Sequence, residues 1–591
     1  MPRSTRETAL MRQHASRKNG NAGNGYRDSW GLRPLPEELR KKYVSLGWWN
    51  DQSLGELLDS QLRSHEQNDF RIWSSSRPFQ GTIGDVRSLA RRLARGLEKM
   101  DVHPGDVVAF QLPNWVEAAI TFYGFSMLGV VLVPIVHFYG PKEVGFILRE
   151  SGARVFITAE RFGHHEMLND LLPLLGSLEE LRTVIVVAEQ PGSYSFPAGS
   201  PTPTTSAPPV YPGDLPTEIV DFPSLLDNEQ LSAPARVDPS FPALIAYTSG
   251  TTSDPKGVIH THRSLGFEVR QLSALQAARD RPHITGAPVG HGIGMLSGLL
   301  IPVYRGHPIH LIDVWNPSAV LAAMLEAGIA AGAGSTYFLT SLLDSSDLKP
   351  EHLKLMSKIG LGGSSVPAAV TERAERLGIS IVRSYGSTEH PSTTGCTHDE
   401  PAPKRLYTDG KPLEGIEMRI VDASGRDVAP GDEGEILSRG PDRFLGYTDP
   451  LLSDEAIDAD GWYSTGDIGM LDPDGYLVIT DRKKDIIIRG GENVSAAEVE
   501  GLLAQIDGVA EVALVAAPDP RLGEHGCAFV RMSDGADLLN LDIVRSHLEK
   551  TGLARQKWPE EIRLVKDFPR TPSGKVKKFV LREELRKGYE R

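Results

Sequence analysis

Hydroxyl side chains, glycines and one lysine are concentrated in residues 247–257, which read Tyr-Thr-Ser-Gly-Thr-Thr-Ser-Asp-Pro-Lys-Gly. Five Ser and Thr hydroxyls, backbone amides freed by Gly250 and Gly257, and the ammonium group of Lys256 are suitable donors for a polyphosphate. The lysine precedes the second glycine and no helix signal follows it, so the stretch is not a Walker P-loop. The composition predicts a loop that wraps a nucleoside triphosphate. A Ser/Gly-rich hairpin is the alternative, because these residues are also common in turns.

Predicted strands and helices alternate on the N-terminal side of this loop. Residues 105–110, 153–158 and 182–187 are predicted strands, with helical patterns between them. One helix follows Asp85, which we expect to be its N-cap, and the arginines of that helix are expected to form a solvated face. The alternation predicts a parallel sheet that is covered by helices on both faces.

Short strands and turns replace this pattern toward the C-terminus. Turn sequences such as 423–425 and 472–475 predict a β-barrel-like or sandwich subdomain over residues 400–480. A charged cluster at 481–485 is followed by about a hundred residues with their own strands and helices, which predicts a domain boundary.

The predicted fold is therefore α/β and α+β with several domains. A large domain at residues 46–483 contains the αβ-layered sheets and the β-rich subdomain, and a small α+β domain occupies residues 484–591. Residues 191–212 are rich in Pro, Ser, Thr and Gly, which predicts a surface insertion because they can bury little apolar area. Residues 1–45 are predicted to be a disordered basic arm, with an organelle transit peptide as the alternative.

The composition of the 591-residue chain indicates which kinds of partner and which cellular location to expect. A formal charge of -14 argues against nucleic acid, because phosphate binding needs a basic face. Two cysteines, Cys396 and Cys527, are too few for a disulfide framework, so we expect a cytoplasmic protein and interpret both as small core residues. Residues 118–136 carry no charge and are long enough to span a bilayer. A helix followed by a buried strand explains them equally well, and we predict no integral membrane segment.

Seven separated motifs follow one another along the chain. They are the 247–257 loop, Gly-Gly-Ser-Ser-Val-Pro at 362–367, Tyr-Gly-Ser-Thr-Glu at 385–389, Gly-Lys-Pro-Leu at 410–413, Tyr-Ser-Thr-Gly-Asp at 463–467, Asp-Arg-Lys-Lys-Asp at 481–485 with Gly-Gly-Glu-Asn at 490–493, and Pro-Arg-Thr-Pro-Ser-Gly-Lys at 569–575. From about Ser53 to Lys587 the chain resembles the adenylate-forming superfamily of acyl-CoA synthetases, luciferases and peptide-synthetase adenylation domains. The resemblance implies that a carboxylate attacks the α-phosphate of ATP, giving an acyl-adenylate and pyrophosphate, and that a thiol then attacks the adenylate.

The resemblance also implies roles for individual residues in binding ATP. Asp467 would accept both ribose hydroxyls, with Arg482 as a second contact, while Tyr385 would stack on adenine and Thr388 would bond the α-phosphate. The whole implied ATP-binding set is Thr248, Ser249, Gly250, Thr251, Thr252, Lys256, Gly362, Gly363, Ser364, Ser384, Tyr385, Gly386, Thr388, Asp467, Arg482 and Lys575.

Metal-binding and catalytic residues follow from the same resemblance. Glu389 with Thr248 would hold Mg²⁺, which neutralises charge on the phosphates. Lys575 would bridge the carboxylate and the α-phosphate as a point charge during adenylation. With His291 in the acyl pocket, these residues form the implied catalytic set.

The C-terminal domain is implied to move between the two half-reactions. Lys484 would be its hinge, and Gly490 and Gly491 would face the CoA channel. Residues 494–497 read Val-Ser-Ala-Ala where relatives often carry Tyr-Pro or Ser-Pro, so the resemblance does not extend to the fine geometry of this channel.

Residues 288–298 correspond to the part of the family that shapes the acyl pocket. The implied pocket residues are His291, Gly292, Gly334, Ser335 and Tyr337. Amino-acid-activating relatives place an Asp in this pocket, whereas the segment offers Gly, Met, Leu and His, so an uncharged acyl group fits better. Its glycines would leave room for a bulky or branched chain, or would serve turns and close packing.

We therefore expect an acyl-CoA synthetase that uses ATP, Mg²⁺ and CoA to activate a hydrophobic carboxylic acid, either fatty, branched or alicyclic. The oligomeric state is left open. The alternatives are an acyl-AMP ligase that loads a carrier protein and a non-catalytic nucleotide-binding homologue. The presence of Lys256, Glu389, Asp467 and Lys575 argues against the last of these.

Overall fold

The structure is a computed structural model that describes most of the chain. The described residues are 29–189, 217–248, 255–276, 281–331, 334, 336–363, 366, 368–483, 485–489, 492–519, 523–533, 535–536, 538–551, 553, 555–570 and 576–589. The strands are β1 (Gly31–Leu32), β2 (Asp69–Trp73), β3 (Phe79–Thr82), β4 (Val107–Gln111), β5 (Val131–Ile135), β6 (Val155–Ala159), β7 (Thr183–Val187), β8 (Glu218–Asp221), β9 (Pro242–Thr248), β10 (Lys256–Thr261), β11 (His283–Thr285), β12 (Ile309–Ile312), β13 (Ala330–Ala331), β14 (Lys358–Leu361), β15 (Ser380–Tyr385), β16 (Thr394–Gly395), β17 (Lys411–Pro412), β18 (Glu417–Val421), β19 (Gly434–Arg439), β20 (Gly446–Tyr447), β21 (Tyr463–Leu471), β22 (Leu477–Arg482), β23 (Ile487–Arg489), β24 (Glu492–Val494), β25 (Val509–Asp519), β26 (Gly523–Met532) and β27 (Glu561–Leu564). The helices are α1 (Glu37–Ser45), α2 (Leu54–Ser64), α3 (Ile83–Lys99), α4 (Val116–Leu128), α5 (Pro141–Ser151), α6 (Met167–Leu171), α7 (Phe222–Leu226), α8 (His262–Leu275), α9 (Gly292–Met295), α10 (Ile301–Arg305), α11 (Pro317–Ala327), α12 (Thr336–Leu343), α13 (Pro350–Leu355), α14 (Ala368–Arg376), α15 (Ala402–Tyr407), α16 (Pro450–Ala456), α17 (Ala496–Leu503), α18 (Leu541–Thr551) and α19 (Lys578–Tyr589).

A nine-stranded sheet supports the predicted phosphate loop. Its order is β1-β20-β10-β9-β5-β4-β6-β7-β8, and the strands from β4 to β8 run parallel to their neighbours. Every residue of β4, β5, β6 and β7 is buried, as in a parallel sheet covered on both faces. The predicted parallel sheet is confirmed. At its other side β9 and β10 form an antiparallel hairpin in which Thr248 lies opposite Lys256.

The uncharged stretch at residues 118–136 forms part of the core of this layer. It consists of most of α4 and all of β5, and all the residues of both elements are buried. Gly129 ends the helix with a φ of 74°, a left-handed conformation that suits glycine. Among the described residues, no helix is both long and apolar enough to cross a bilayer. The prediction of a helix followed by a buried strand is confirmed.

Two smaller sheets carry the remaining segments of the predicted site. Their orders are β13-β11-β12-β2-β3 and β14-β15-β16-β17. β14 and β15 are parallel, with Leu361 opposite Arg383, so Gly362 and Ser384 follow at the same end of the two strands. The carboxyl ends of neighbouring parallel strands are the usual place for a ligand in α/β folds.

The C-terminal third of the chain contains one antiparallel sheet and one mixed sheet, in which β27 runs parallel to β26. β18, β19, β21 and β22 form a four-stranded sheet in that order within the predicted β-rich subdomain. β23 to β27 form a separate sheet, which packs with α17 and α18 around an apolar core of its own. The boundary at residue 484 stays a prediction.

The predicted disordered arm is wrong for residues 29–45. β1 pairs with β20 at the edge of the nine-stranded sheet, and α1 follows it. Trp30 and Tyr43 are buried, so aromatic side chains give this segment the apolar area that the basic residues before it lack. Residues 1–28 and the predicted insertion at 191–212 lie outside the described residues.

The start of α3 also differs from the prediction. Thr82 is the N-cap, and Asp85 is the third helical residue of a capping box. The Asp85 amide donates to the Thr82 hydroxyl at 3.1 Å, and Asp85 Oδ2 accepts from the Thr82 amide at 2.8 Å. The expected solvated arginine face is also wrong in part, because Arg91 is buried and pairs with Asp59 at 2.9 Å.

The two cysteines are core residues, as predicted. Cys396 and Cys527 are both buried and free of disulfides. Burial raises the pKa of each thiol to about 12, so neither supplies a thiolate near neutral pH.

Candidate active site

Three side chains meet where the β-rich sheet lies against the end of β15. The register of the β21–β22 hairpin places Asp467 opposite Arg482, whose Nε is 2.6 Å from Asp467 Oδ1. Tyr385, the last residue of β15, donates its hydroxyl proton to Asp467 Oδ2 at 2.7 Å. Burial, and then the charge of Asp467, raises the pKa of Tyr385 well above its ordinary value, so the phenol keeps its proton. A carboxylate oriented in this way can accept further hydrogen bonds from a diol.

A second cluster forms beside the β9–β10 hairpin. β20 pairs with β10, with Tyr447 opposite Val258, and the Tyr447 hydroxyl donates to Glu389 Oε1 at 2.8 Å. Burial, and then the charge of Glu389, raises the pKa of Tyr447. Lys256 Nζ lies 5.5 Å from the centre of the Tyr447 ring. Thr248, Lys256 and Glu389 are therefore brought to the loop end of the β9–β10 hairpin.

The loop at residues 386–393 joins the two clusters. His260 Nε2 donates to the Thr388 carbonyl at 2.7 Å, and burial lowers the pKa of His260 to about 4, so the imidazole is neutral. Tyr463 is buried near the carboxylates of both clusters, and burial and then the charge of Glu389 raise its pKa well above the ordinary value. The loop presents Thr388 and its neighbour Glu389 between the pair on β21–β22 and the hairpin of β9 and β10.

Two glycine motifs and the acyl segment meet around Ile293. A Cβ on Gly363 would lie 2.7 Å from Ile293 Cδ1, and a Cβ on Gly334 would lie 3.9 Å from Ile293 Cγ2. The Gly362 amide donates to the Gly334 carbonyl at 3.1 Å, and a Cβ on Gly362 would lie 2.7 Å from Ser384 Oγ. Gly363 has a φ of 71°, which few other residues adopt. Glycine at these positions lets three chain segments approach one another.

The acyl segment is a short helix that begins after His291. His291 Nδ1 accepts the amide two residues later at 3.3 Å, and a π-helical turn, Leu296–Leu300, continues α9 into α10. Phe338 packs on Trp315 with ring centroids 4.5 Å apart, and its ring is 3.4 Å from the Cβ position of Gly334. Tyr337 is 46% exposed, so Phe338 is the aromatic wall of this region. The assignment of Tyr337 to the acyl pocket stays a prediction.

Other predicted residues are placed less fully. Gly292 opens α9 with free space at its Cβ position, and a Cβ on Gly386 would collide with the Pro391 carbonyl oxygen at 1.8 Å. The predicted site residues that lie outside the described residues are Ser249, Gly250, Thr251, Thr252, Ser335, Ser364, Lys484, Gly490, Gly491 and Lys575.

Oxygen donors at Thr248 and Glu389 fit Mg²⁺. In the part of the chain that the structure describes, no group of three or more His, Cys, Asp or Glu could hold a metal ion by itself. Mg²⁺ is usually held by one or two carboxylates together with substrate phosphates, and it needs no protein cage. The single carboxylate beside a hydroxyl suits that arrangement.

Five residues of this site were not among those predicted from the sequence. Tyr447 and His260 hold Glu389 and Thr388, while Ile293, Phe338 and Trp315 form the apolar walls. A signal existed for His260, since a histidine in the apolar run Val-Ile-His needs a polar partner when buried, and for Ile293, which lies in the acyl segment 288–298. None existed for the other three, because ordinary core residues of these types are far more common.

Two family models match the chain. The model of the AMP-binding enzyme family matches residues 61–448. The model of the AMP-binding enzyme C-terminal domain matches residues 498–575. The first match alone covers more than half of the chain.

Curated relatives match nearly the full length. The chain is 35% identical to a methyl-dioxo-octahydroindenyl-propanoyl:CoA ligase from Rhodococcus jostii (strain RHA1), over 85% of this chain and 93% of that protein. It is 31% identical to the medium-chain fatty-acid–CoA ligase of Escherichia coli (strain K12), over 93% of each.

Solved structures confirm the fold. ATP-bound MatB from Rhodopseudomonas palustris matches with a TM-score of 0.76 at 24% identity, covering 90% of this chain and 99% of that one. The anthranilate CoA ligase AuaEII, in complex with anthranoyl-AMP, matches with a TM-score of 0.77 at 22% identity, covering 93% and 99%. At these identities the likeness shows the architecture alone.

Proposed function

Because the chain belongs to the AMP-binding enzyme family and is an AMP-forming acyl-CoA ligase of the adenylate-forming superfamily, we propose that it activates a hydrophobic carboxylic acid, either fatty, branched or alicyclic. The apolar walls at Ile293, Phe338 and Trp315 carry this proposal. Residues 288–298 and 334–343 contain no Asp, Glu, Lys or Arg that could pair a charged group on the substrate. The fatty-acid and octahydroindenyl-propanoyl ligases among the relatives support the same substrate class.

The residues on the nucleotide side hold ATP for attack at its α-phosphate. Asp467, oriented by Tyr385 and Arg482, accepts hydrogen bonds from the ribose hydroxyls. Thr388 donates its hydroxyl to the α-phosphate, and Lys256 pairs with the outer phosphates. Donors that are fixed before the reaction lower the barrier most, because they need not reorganise as charge develops.

Mg²⁺, bound through Glu389 and Thr248, would neutralise charge on the phosphates. Glu389 is held for this by Tyr447, which occupies Oε1 and turns the carboxylate toward the hairpin of β9 and β10. Lys575 bridges the attacking carboxylate and the α-phosphate in the first half-reaction, as a point charge that follows the developing anion.

The second half-reaction needs the thiol where Lys575 had been. Rotation about Lys484 would withdraw Lys575 and bring Gly490 and Gly491 to the CoA channel. CoA as the acceptor follows from the family, and a carrier protein is the alternative acceptor. A cytoplasmic location stays a prediction.

Incubation with ATP, Mg²⁺, CoA and a panel of acids tests the proposal. We expect stoichiometric AMP, pyrophosphate and acyl-CoA with medium-chain, branched or alicyclic acids, and little turnover with amino acids or short polar acids. Release of ADP, or preference for a charged acid, would contradict it. Acylation of a pantetheinylated carrier protein without acylation of free CoA would favour the alternative acceptor.

A further inference from the structure

The loop at residues 386–393, which carries two proposed ATP and metal contacts, is closed on itself. The Ser387 amide donates to the His390 carbonyl at 2.9 Å, and the Thr393 amide donates to the Tyr385 carbonyl at 3.0 Å. These bonds fix the shape of the loop. They do not fix its orientation toward the hairpin of β9 and β10, so contacts from other elements must do so.

A row of buried polar side chains runs along β10 and α8, and two of them, His260 and Glu268, bond this loop. His260, Ser264, Glu268 and Gln271 recur every three or four residues, and each is less than a tenth exposed. On α8 this spacing places the side chains on one face of the helix. Burial of a polar group costs free energy unless it is hydrogen-bonded, so each of these residues needs a partner.

Glu268 is fully buried and connects two separate segments. Its Oε1 accepts the hydroxyl proton of Ser392 at 2.6 Å. Glu268 Oε2 and Asp442 Oδ2 are both buried with no hydrogen-bond partner among the described residues, and the two carboxyl groups lie near each other. Burial, and then the charge of Asp442, raises the pKa of Glu268, so Glu268 keeps its proton.

Asp442 is hydrogen-bonded to the same loop. Its Oδ1 accepts from His390 Nε2 at 3.2 Å, and His390 Nδ1 accepts from the Ser438 hydroxyl at 2.8 Å. Glu268 therefore holds the loop at Ser392, and Asp442 holds it at His390.

The remaining anchors lie directly beside the proposed ligands of ATP and metal. The Phe444 amide, two residues beyond Asp442, donates to the Glu389 carbonyl at 2.8 Å. His260 holds the Thr388 carbonyl at 2.7 Å from the other side. The loop is thus held through the backbone carbonyls of residues 388 and 389 and through the side chains of residues 390 and 392.

We propose that Glu268 is a positioning residue for adenylation, which through its hydrogen bond with Ser392 fixes the loop that presents Thr388 and Glu389 to ATP and Mg²⁺. The inference rests on the proposed function, since it assigns a purpose to contacts behind that site. Glu268 touches no reacting atom. A loop displaced by about 1 Å would nevertheless slow the reaction by up to about a hundredfold.

Three variants separate positioning from simple stability. Glu268→Ala removes the hydrogen bond from Ser392, whereas Glu268→Gln can still accept this bond at nearly the same size. Gln271→Ala is the matched control, because Gln271 is on the same helix, is also buried and bonds the Glu414 carbonyl at 2.8 Å instead of the loop. Each is assayed for Mg²⁺-dependent ATP binding, pyrophosphate release, thioester formation from supplied acyl-adenylate, and thermal unfolding.

The expected result is selective. Glu268→Ala should lower pyrophosphate release by between about tenfold and a hundredfold, while thioester formation from supplied acyl-adenylate changes by less than about threefold. Glu268→Gln should restore pyrophosphate release to within about threefold of the parent. Gln271→Ala should lower the unfolding temperature by a similar amount to Glu268→Ala and leave both half-reactions unchanged.

Two results would overturn the inference. One is parallel loss of both half-reactions in Glu268→Ala, and the other is a Glu268→Gln variant as impaired as Glu268→Ala. Failure of the proposed function is distinct, because the parent protein would then release no pyrophosphate with any acid. In that case the Mg²⁺ dependence of ATP binding tests the inference. If Glu268 positions the loop, Glu268→Ala loses this dependence and Gln271→Ala keeps it.

Discussion

The nucleotide side and the acyl side of the site are built by different physical means. On the nucleotide side buried and directional hydrogen bonds hold the polar groups, such as Tyr385 on Asp467 and Tyr447 on Glu389. On the acyl side the walls are Ile293, Phe338 and Trp315, which present mainly apolar surface. Hydrogen bonds fix atoms to within tenths of an ångström, whereas apolar packing fixes mainly volume.

This difference predicts which property each side controls. A rigid polar frame suits a ligand that never changes, and ATP is the same in every reaction of the family. The substrate that an apolar cavity prefers can change when the volume of one lining side chain changes. We therefore expect substitutions on the nucleotide side to slow the reaction for all acids alike, and substitutions on the acyl side to change the ranking of acids.

The largest effect is expected where the two sides meet, at Lys575. Lys575→Ala removes the charge that bridges the carboxylate and the α-phosphate, so pyrophosphate release should fall by about 10³-fold. Thioester formation from supplied acyl-adenylate should change by less than about threefold. Lys577→Ala, two residues later, is the matched control. Equal loss of both half-reactions would contradict the proposed alternation of the C-terminal domain.

The next largest effect is expected at Asp467. Asp467→Asn removes the charge that strengthens two hydrogen bonds to ribose, so kcat/KM for ATP should fall by about 10²-fold. The loss should be the same for every acid in the panel. Asp422→Asn, in an exposed turn where Asp422 bonds Ser424 and Arg426, should leave the value unchanged. A loss that depends on the acid would break the distinction between the two sides.

A smaller and opposite kind of effect is expected at Phe338. Phe338→Ala enlarges the acyl region next to Gly334, so the ratio of kcat/KM for a bulky acid to that for a short acid should rise by about tenfold. The KM for ATP should stay unchanged. Leu342→Ala, at a fully buried position on the same helix in the core around Val320, should lower stability without moving the ratio. An unchanged ratio in Phe338→Ala would remove this side chain from the pocket.

The smallest effect concerns stability in acid. Burial lowers the pKa of His260 from 6.5 to about 4, so between these pH values the unfolded chain binds a proton that the folded protein does not. Stability is therefore lost as pH falls below 6.5, by about 1.4 kcal/mol per pH unit from this residue.

His260→Gln should remove that part of the slope when the free energy of unfolding is measured by denaturant titration from pH 7 to pH 4. His103→Gln, at an exposed side chain, serves as the control and should follow the parent. A slope that is identical in all three proteins would contradict a neutral, buried imidazole behind Thr388.

Much of the fold was predictable because its signals are local. Apolar runs of strand length, separated by helical patterns, gave the parallel strands β4, β6 and β7 nearly at their observed bounds. The hairpin of β9 and β10 follows from a loop rich in hydroxyls and glycine between two apolar strands. Motifs named most of the nucleotide side for the same reason, since each one is contiguous.

The remainder depends on register and on packing between distant segments. Asp467 faces Arg482 only because the β21–β22 pairing shifts between Ile468 and Gly469, and a sequence does not show such a shift. Tyr447 and Val258 are opposite each other across the sheet although nearly two hundred residues separate them. The aromatic ring of α12 that lies next to Gly334 also depends on packing, because Phe338 packs there on Trp315 from a different segment.

The pairing of β1 with β20 has a practical consequence for anyone who trims this protein. Gly31 lies opposite Tyr447, so the first described strand is the lateral support of the strand whose phenol holds Glu389. The basic composition of the N-terminus suggests deleting residues 1–45. This deletion would expose β20 by removing β1, and it would remove the fully buried ring of Tyr43. A deletion that ends before residue 29 would keep β1 and Tyr43. Limited protease digestion of the full chain would show at which residue the protected structure begins.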